Sequence, residues 1–351
     1  MDPRLAQPSE IIAAHLRQWG AEPAWVELAL FGSDDARAIA IEIDGFCRRE
    51  LKAGVARGLF HQSSVGSVSG VELDDGRRVV LKGHAPERSL EWLREVVRVQ
   101  MHLASRRRYV TTVVAGPAPL GRGLALVEPF VDEGETIDAH APAIRRALAR
   151  ALHDLVVAGQ PLAATSTLPG PRSACLPSGR LWPTPHSRLF DFDATADGAG
   201  FIDAVAVAAR ARLAPAGDLV IGHGDWRAEH VRFASATDAR PVAAFDWDSL
   251  RREHEPALVG FTAHALCADW TRAPRMAPAP TLAEARAFVA DWEEARGRRF
   301  SVDERRLCGA SFAYWCAYTA RCGWAQHHDQ RHQPGSFHHL LALEGARLLE
   351  L

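Results

Sequence analysis

The chain has 351 residues, of which 47% are hydrophobic and 24% charged, and its formal net charge is -2. That length buries one large core or two ordinary ones without staples, and a near-neutral balance supplies no field to gather nucleic acid or anionic lipid. The six cysteines form no Cys-x-x-Cys pair, no apolar run is long enough to span a membrane, and MDPRLAQPSE lacks the basic-then-apolar pattern of a secretory signal. The expectation is a cytoplasmic protein with reduced, buried thiols.

In chain order, residues 8–57 read as helical, with Ser9 as a candidate cap for a helix ending at Gly20 and 34-DDARAIAIEIDGFCRRELKAGVARG-58 carrying apolar residues at helical spacing. From 58 to 83 the period becomes strand-like: GLFHQSS, the small-residue stretch 65-VGSVSG-70, then VEL and RVVLKG around an Asp-Asp-Gly-Arg turn. An amphipathic helix follows over 87–107, and the apolar, Pro/Gly-punctuated run 110–131 closes a small sheet with LALVEPF. The pattern from 138 onward is mainly helical, broken by a Pro/Ser-rich loop over 166–188 that is too long to be a mere connection. Helices, a small antiparallel sheet with one helix, then a helical body is an α+β order rather than the alternation of a doubly wound fold. Three parts are expected: a helical extension over 1–57, a sheet-bearing lobe over 58–131, and a mainly helical lobe over 132–351.

Lys52 and Lys82 are the only lysines, and there is no asparagine anywhere. In a chain that writes its cations as arginine, Lys82 on a predicted strand suggests a need for a compact point charge, although an edge-strand lysine has the same appearance. Glu91 and Glu95 lie on one face of the following helix, and a strand lysine paired with a helix glutamate positions the α- and β-phosphates of ATP in protein kinases. The segment 221-IGHGDWRAEHVRF-233 then carries an apolar strand to Asp225, a carboxylate able to accept a proton from a hydroxyl. A second apolar strand, 241-PVAAFDWDSL-250, delivers Asp246 and Asp248, hard oxygen ligands of the kind Mg²⁺ takes. Arg227 could neutralise charge developing on a transferring phosphoryl group.

Together these pieces resemble the aminoglycoside phosphotransferase and choline kinase family, small-molecule kinases with a protein-kinase-like fold. The matching segments, from about 58 to 260, are VGSVSG, VVLK, LREVVRVQMHL, GPAPLGRGLALVEPF, ALHDL, HGDWRAEH and AFDWDSL, all in the family's order. The resemblance implies an ATP- or GTP-dependent transfer of the γ-phosphate to a small-molecule hydroxyl, with no role for nucleic acid or membrane. Asp225 would orient or deprotonate that hydroxyl. Lys82 and Glu95 would position phosphates beneath the hairpin at Ser67, and the backbone from Glu128 through Phe130 to Val131 would hold the base. Asp246 would bind Mg²⁺. The family's metal-binding asparagine is His230 here, a borderline-soft ligand that favours Mn²⁺ and similar ions, and a downstream family aspartate is Val259. Two rival readings are a nucleotide-binding pseudokinase and a metal-dependent hydrolase built on His223, Asp225 and His230; the latter leaves Lys82 without a role.

Overall fold

A computed structural model describes residues 5–18, 24–270, 272, 277–327 and 329–351. The chain divides into two compact units, one of Met1–Ala104 with Thr111–Asp132 and one of Ser105–Val110 with Glu133–Leu351.

The first unit opens with helices α1 (Ala6–Gln18), α2 (Trp25–Leu30) and α3 (Ala36–Glu50), followed by strands β1 (Val55–Ser63), β2 (Ser67–Leu73) and β3 (Arg78–His84). Helix α4 (Leu90–Ala104) and strands β4 (Ala115–Leu120) and β5 (Gly123–Pro129) complete it. The five strands form one sheet in the order β1-β2-β3-β5-β4, every pair antiparallel. Ile12, Leu30, Ile39, Ile43 and Phe46 from the three helices pack on Val55, Val71, Leu73, Val79, Leu81 and Val127 in a single apolar core. The helices before the sheet therefore bury one of its faces and belong to the same unit. Because successive side chains on a strand point to opposite faces, Val79 and Leu81 in this core place Lys82 on the other face.

Two details differ from the sequence reading. Ser9 lies inside α1, where its hydroxyl donates to the Leu5 carbonyl at 2.6 Å, the back-bonding common to serine within helices, so it is not the cap. The expected end of that helix, Gly20, lies outside the described residues. The helix expected to reach Gly58 stops at Glu50, and β1 begins at Val55, whose backbone N–H donates to Asp44 Oδ1 at 2.7 Å. That bond ties the start of β1 back to the middle of α3.

The second unit holds helices α5 (Pro142–Gly159) and α6 (Gly200–Arg210), strands β6 (Leu219–His223), β7 (Val231–Phe233), β8 (Pro241–Ala244) and β9 (Leu250–His254), then helices α7 (Glu255–Ala265), α8 (Leu282–Arg296), α9 (Val302–His327) and α10 (Phe337–Glu344). The strands form two antiparallel pairs, β6 with β9 and β7 with β8. Helix α9 is buried on most of its circumference, as a central helix must be when others surround it. The apolar strand expected over 241–250 is shorter: β8 ends at Ala244, and Trp247–Ser249 form a 3-10 turn leading into β9, which starts at Leu250.

Candidate active site in the second unit

Asp225 follows β6 and Asp246 follows β8, so each ends an apolar strand. The tryptophans beside them fix the chain. Trp226 and Trp247 are fully buried, and their indole N–H groups donate to the Leu148 carbonyl at 3.0 Å and the Ala244 carbonyl at 2.8 Å. His223, also fully buried, packs edge-on to both rings at centroid distances of 5.3 and 5.1 Å. Its Nε2–H donates to the Phe245 carbonyl at 2.8 Å, and its Nδ1 accepts from the Asp225 backbone N–H at 3.2 Å and the Ser249 hydroxyl at 3.1 Å. A carbonyl only accepts and an amide only donates, so these partners define a neutral ring of one tautomer. Burial, followed by the neighbouring His230, pushes its pKa down to about 4 against the pull of Asp246 and Asp225.

The two strand ends meet side by side. One side-chain donor atom each from Asp225, His230 and Asp246 lies within 4.8 Å of the others, whereas Asp248, half-buried in the 3-10 turn, is outside this group. His230 Nδ1 donates to the Asp225 carbonyl at 2.8 Å and lies 3.7 Å from Asp225 Oδ2. Two carboxylates and an imidazole are a donor set that suits Mn²⁺ as well as Mg²⁺. Asp246 has φ of 66° and ψ of 42°, the left-handed region that a non-glycine residue enters at a cost. The backbone around it is held by Phe245 N–H donating to the His230 carbonyl at 2.9 Å and by Ser249 N–H donating to the Asp246 carbonyl at 3.1 Å.

Arg227 sits on Asp225 Oδ1 and also donates through Nε to Glu229 at 3.0 Å. The guanidinium expected to meet a phosphoryl group is thus engaged with two carboxylates. Burial works to raise the Asp225 pKa, but Arg227, His230 and His223 together outweigh it and hold the carboxyl down at about 2. Asp225 is ionised throughout the neutral range.

Sequence reasoning missed Arg172, which comes from the long loop. Its Nη2 donates to the Gly224 carbonyl, its backbone N–H donates to Glu253 at 2.9 Å, and its guanidinium lies 3.6 Å from the centroid of the Phe261 ring. Burial, reinforced by Arg251, lowers its pKa to about 9. Gly224 has no room for a side chain: a Cβ there would stand 2.5 Å from the Ser249 carbonyl oxygen and 2.9 Å from Arg172 Nη2. Around Arg172 a chain of rings runs from Phe261 to Trp315 at 5.2 Å, to Tyr318 at 5.3 Å, and on to Trp182 at 6.2 Å and His186 at 6.4 Å. No single local signal marks this cluster, because its members come from three separate segments, the long loop, α7 and α9.

The remaining expected residues lie in the first unit. Lys82, buried on β3, is opposite Val68 and Leu126 on the flanking strands. Of the two helix glutamates, Glu91 is exposed and Glu95 buried, with both Glu95 oxygens accepting from Arg98 at 2.7 Å. Ser67 is buried at the start of β2, where neighbouring Gly66 approaches the Gly83 carbonyl so closely that a Cβ would stand 2.7 Å from it. The Glu128 carboxylate is spent internally, accepting from Gln100 Nε2 and Thr111 Oγ1, each at 3.0 Å. Phe130 gives its backbone N–H to the Arg78 carbonyl at 3.0 Å and its ring face to the Arg78 guanidinium at 5.0 Å. With Pro129 lacking an N–H, Val131 is the next backbone donor after Phe130.

Among solved structures, the fold is similar to spectinomycin phosphotransferase in complex with ADP and spectinomycin, with a TM-score of 0.58 at 10% identity, covering 88% of this chain and 98% of that one. It is similar also to amicoumacin kinase in complex with AMP-PNP and Ca²⁺, with a TM-score of 0.53 at 13% identity over 83% and 86% of the two chains. A type I macrolide 2'-phosphotransferase gives 0.51 at 12% identity over 86% and 96%. At such identities the likeness carries the fold, a protein-kinase-like α+β fold, and not the substrate. No curated protein matches the sequence. The sequence model of the phosphotransferase enzyme family matches residues 67–298, more than half of the chain and including every residue of the Asp225, His230 and Asp246 group. The chain belongs to that family, the one that contains the aminoglycoside phosphotransferases.

Proposed function

We propose that the protein transfers the γ-phosphoryl group of ATP or GTP to a hydroxyl of a small molecule. The observation that carries this reading is the convergence of Asp225, His230 and Asp246 at the ends of two neighbouring strands. Asp225 is the residue that orients the acceptor hydroxyl. Its low pKa makes it a weak base, which suits a transition state in which the metaphosphate-like group is nearly detached and the proton leaves late. Arg227 fixes the carboxylate by holding Oδ1 and leaves Oδ2 to the hydroxyl. Asp246 and His230 would hold a divalent cation, Mg²⁺ or Mn²⁺, with Asp248 close by in the chain. When bound, that ion neutralises charge on the nucleotide phosphates. In the first unit, Lys82 and Glu95 would serve the phosphates beneath the Ser67 hairpin, and backbone groups from Glu128 to Val131 the base, with Val131 as the donor.

The acceptor side is read from the rings beside the catalytic loop. Burial lowers the pKa of His186 against the opposing pull of Asp225, and Arg172 joins the Gly224 carbonyl to the Phe261 face. Half-buried Trp182, Phe261 and Trp315, with exposed His186 beside them, suit a hydroxylated molecule with a flat or apolar ring system better than they suit a polycation. ADP release measured over a panel of macrolides, nucleosides, sugars, amino alcohols and aminoglycosides, with Mg²⁺ and with Mn²⁺, tests both statements. Turnover with a ring-bearing neutral acceptor supports them, and turnover confined to aminoglycosides contradicts the second.

The Arg227 contact with Asp225 also favours a pseudokinase reading, in which the carboxylate is closed off by its own arginine. Nucleotide binding by thermal shift without ADP release on any acceptor would support that alternative.

A further inference from the structure

The second unit holds another group of donors that the phosphotransfer reading does not use. His140, just ahead of α5, directs Nδ1 toward Glu284 Oε1 at 2.8 Å and Cys267 Sγ at 3.6 Å, while its Nε2–H donates to the Ala277 carbonyl at 3.0 Å. All three donor atoms lie within 4.8 Å of one another, with Cys267 fully buried and the other two residues half-buried. We propose that His140 Nδ1, Cys267 Sγ and Glu284 Oε1 form a structural Zn²⁺ site that staples the segments before α5, after α7 and at the start of α8.

Three observations point to an ion. Tetrahedral bonds of about 2.0–2.1 Å to nitrogen and about 2.3 Å to sulfur put the two ligand atoms about 3.6 Å apart, the separation His140 and Cys267 have. His140 Nδ1 and Glu284 face each other as an ion pair at 2.8 Å, so an ion would take the place of the Nδ1 proton and the Glu284 oxygen would withdraw by about half an ångström to its tetrahedral separation of about 3.3 Å. Next, a ligating histidine characteristically donates its other N–H to a carbonyl, which fixes the ring and the tautomer, and Ala277 accepts that bond here. Finally, Glu284 is itself oriented: its Oε2 accepts from the Thr281 N–H at 2.7 Å and the Thr281 hydroxyl at 2.8 Å in a capping box, leaving Oε1 for the site. A water completes the fourth position, since Asp138, which accepts the His140 backbone N–H at 2.9 Å, lies outside the three-donor group. The other buried donor group, His15, Glu27 and His61, fits an ion less well, because His15 Nε2 already accepts the Ser63 backbone N–H at 3.1 Å.

Cobalt tests the assignment, since a thiolate bound to Co²⁺ gives an intense near-ultraviolet charge-transfer band that imidazole and carboxylate ligands do not. Cys175, the exposed thiol, is first removed as Cys175→Ser so that it cannot contribute. The chelator-stripped full-length variant titrated with Co²⁺ is expected to show the band at one equivalent and to lose it on adding one equivalent of Zn²⁺. Adding Cys267→Ser should abolish the band, while adding His230→Asn should leave it intact, which separates this site from the one at Asp225. Should the Cys267→Ser protein not fold, Glu284→Gln provides the same readout, with Co²⁺ affinity reduced roughly tenfold or more. Absence of the band in the Cys175→Ser protein, or its persistence undiminished with Cys267→Ser or Glu284→Gln, overturns the proposal.

Discussion

His223 joins the two halves of the candidate active site: its Nε2–H reaches the Phe245 carbonyl at 2.8 Å, so the turn bearing Asp225 is tied directly to the residue before Asp246. His223 Nδ1 accepts from the Asp225 N–H and the Ser249 hydroxyl, which requires the buried ring to be neutral. Since the folded-state pKa, about 4, lies below the ordinary value of 6.5, the unfolded chain binds the extra proton first as pH falls. The stabilisation is complete above pH 6.5 and is lost on descending to pH 4. Buried His264, also lowered to about 4, behaves in the same way. Each is worth about 3 kcal/mol across that window. Melting temperatures measured from pH 7.5 to pH 4 should fall most steeply between 6.5 and 4, and His264→Gln should flatten the slope. A flat profile would show that neither ring is buried neutral. Asp225, held near 2, adds its own loss only below about pH 4.

Gly224→Ala should disable the loop while leaving most of the fold. The new methyl would stand 2.5 Å from the Ser249 carbonyl oxygen and 3.0 Å from Arg251 Cδ, and backbone cannot yield as a side-chain tip can. The expected cost is about 1–3 kcal/mol of stability, with kcat falling more than KM. Chemical denaturation alongside steady-state kinetics checks both, and wild-type values in both would show the contact to be absent in solution.

Arg227→Met should raise the Asp225 pKa, because the strongest of the charges lowering it is removed. The acid limb of the pH dependence of kcat/KM should therefore move to higher pH, with reduced turnover at the plateau. An unmoved limb would mean that Arg227 does not hold the carboxylate.

His230→Asn exchanges an imidazole for an amide oxygen and should shift the ratio of Mg²⁺- to Mn²⁺-supported rates toward Mg²⁺, with the fold kept. If the ratio is unchanged, His230 is not a ligand.

How much of this was legible in the sequence depended on whether the signal was local. Asp225 and Asp246 each end an apolar strand, and a strand-ending acid is visible in a single row of residues. The α+β order was legible for the same reason. Strand β9, LRREH, was not, because its polar side chains face protein: Arg251 and Arg252 donate to the Gly170 and Leu168 carbonyls, and Glu253 accepts from the Arg172 N–H. A strand that buries charges shows no apolar alternation. Arg172 was hidden by distance, 52 residues from the Gly224 carbonyl it binds and within a loop rich in proline and serine. Glu95 could not be told from Glu91 by helical spacing, which puts both on one face; burial separates them.

The proposed phosphoryl transfer rests on Asp225 and Asp246. The most direct measurement is acceptor-dependent ADP release by Asp225→Asn and Asp246→Ala, with circular dichroism showing the fold retained. A fall of about 10²-fold or more is expected in each. Wild-type turnover in both variants would contradict it.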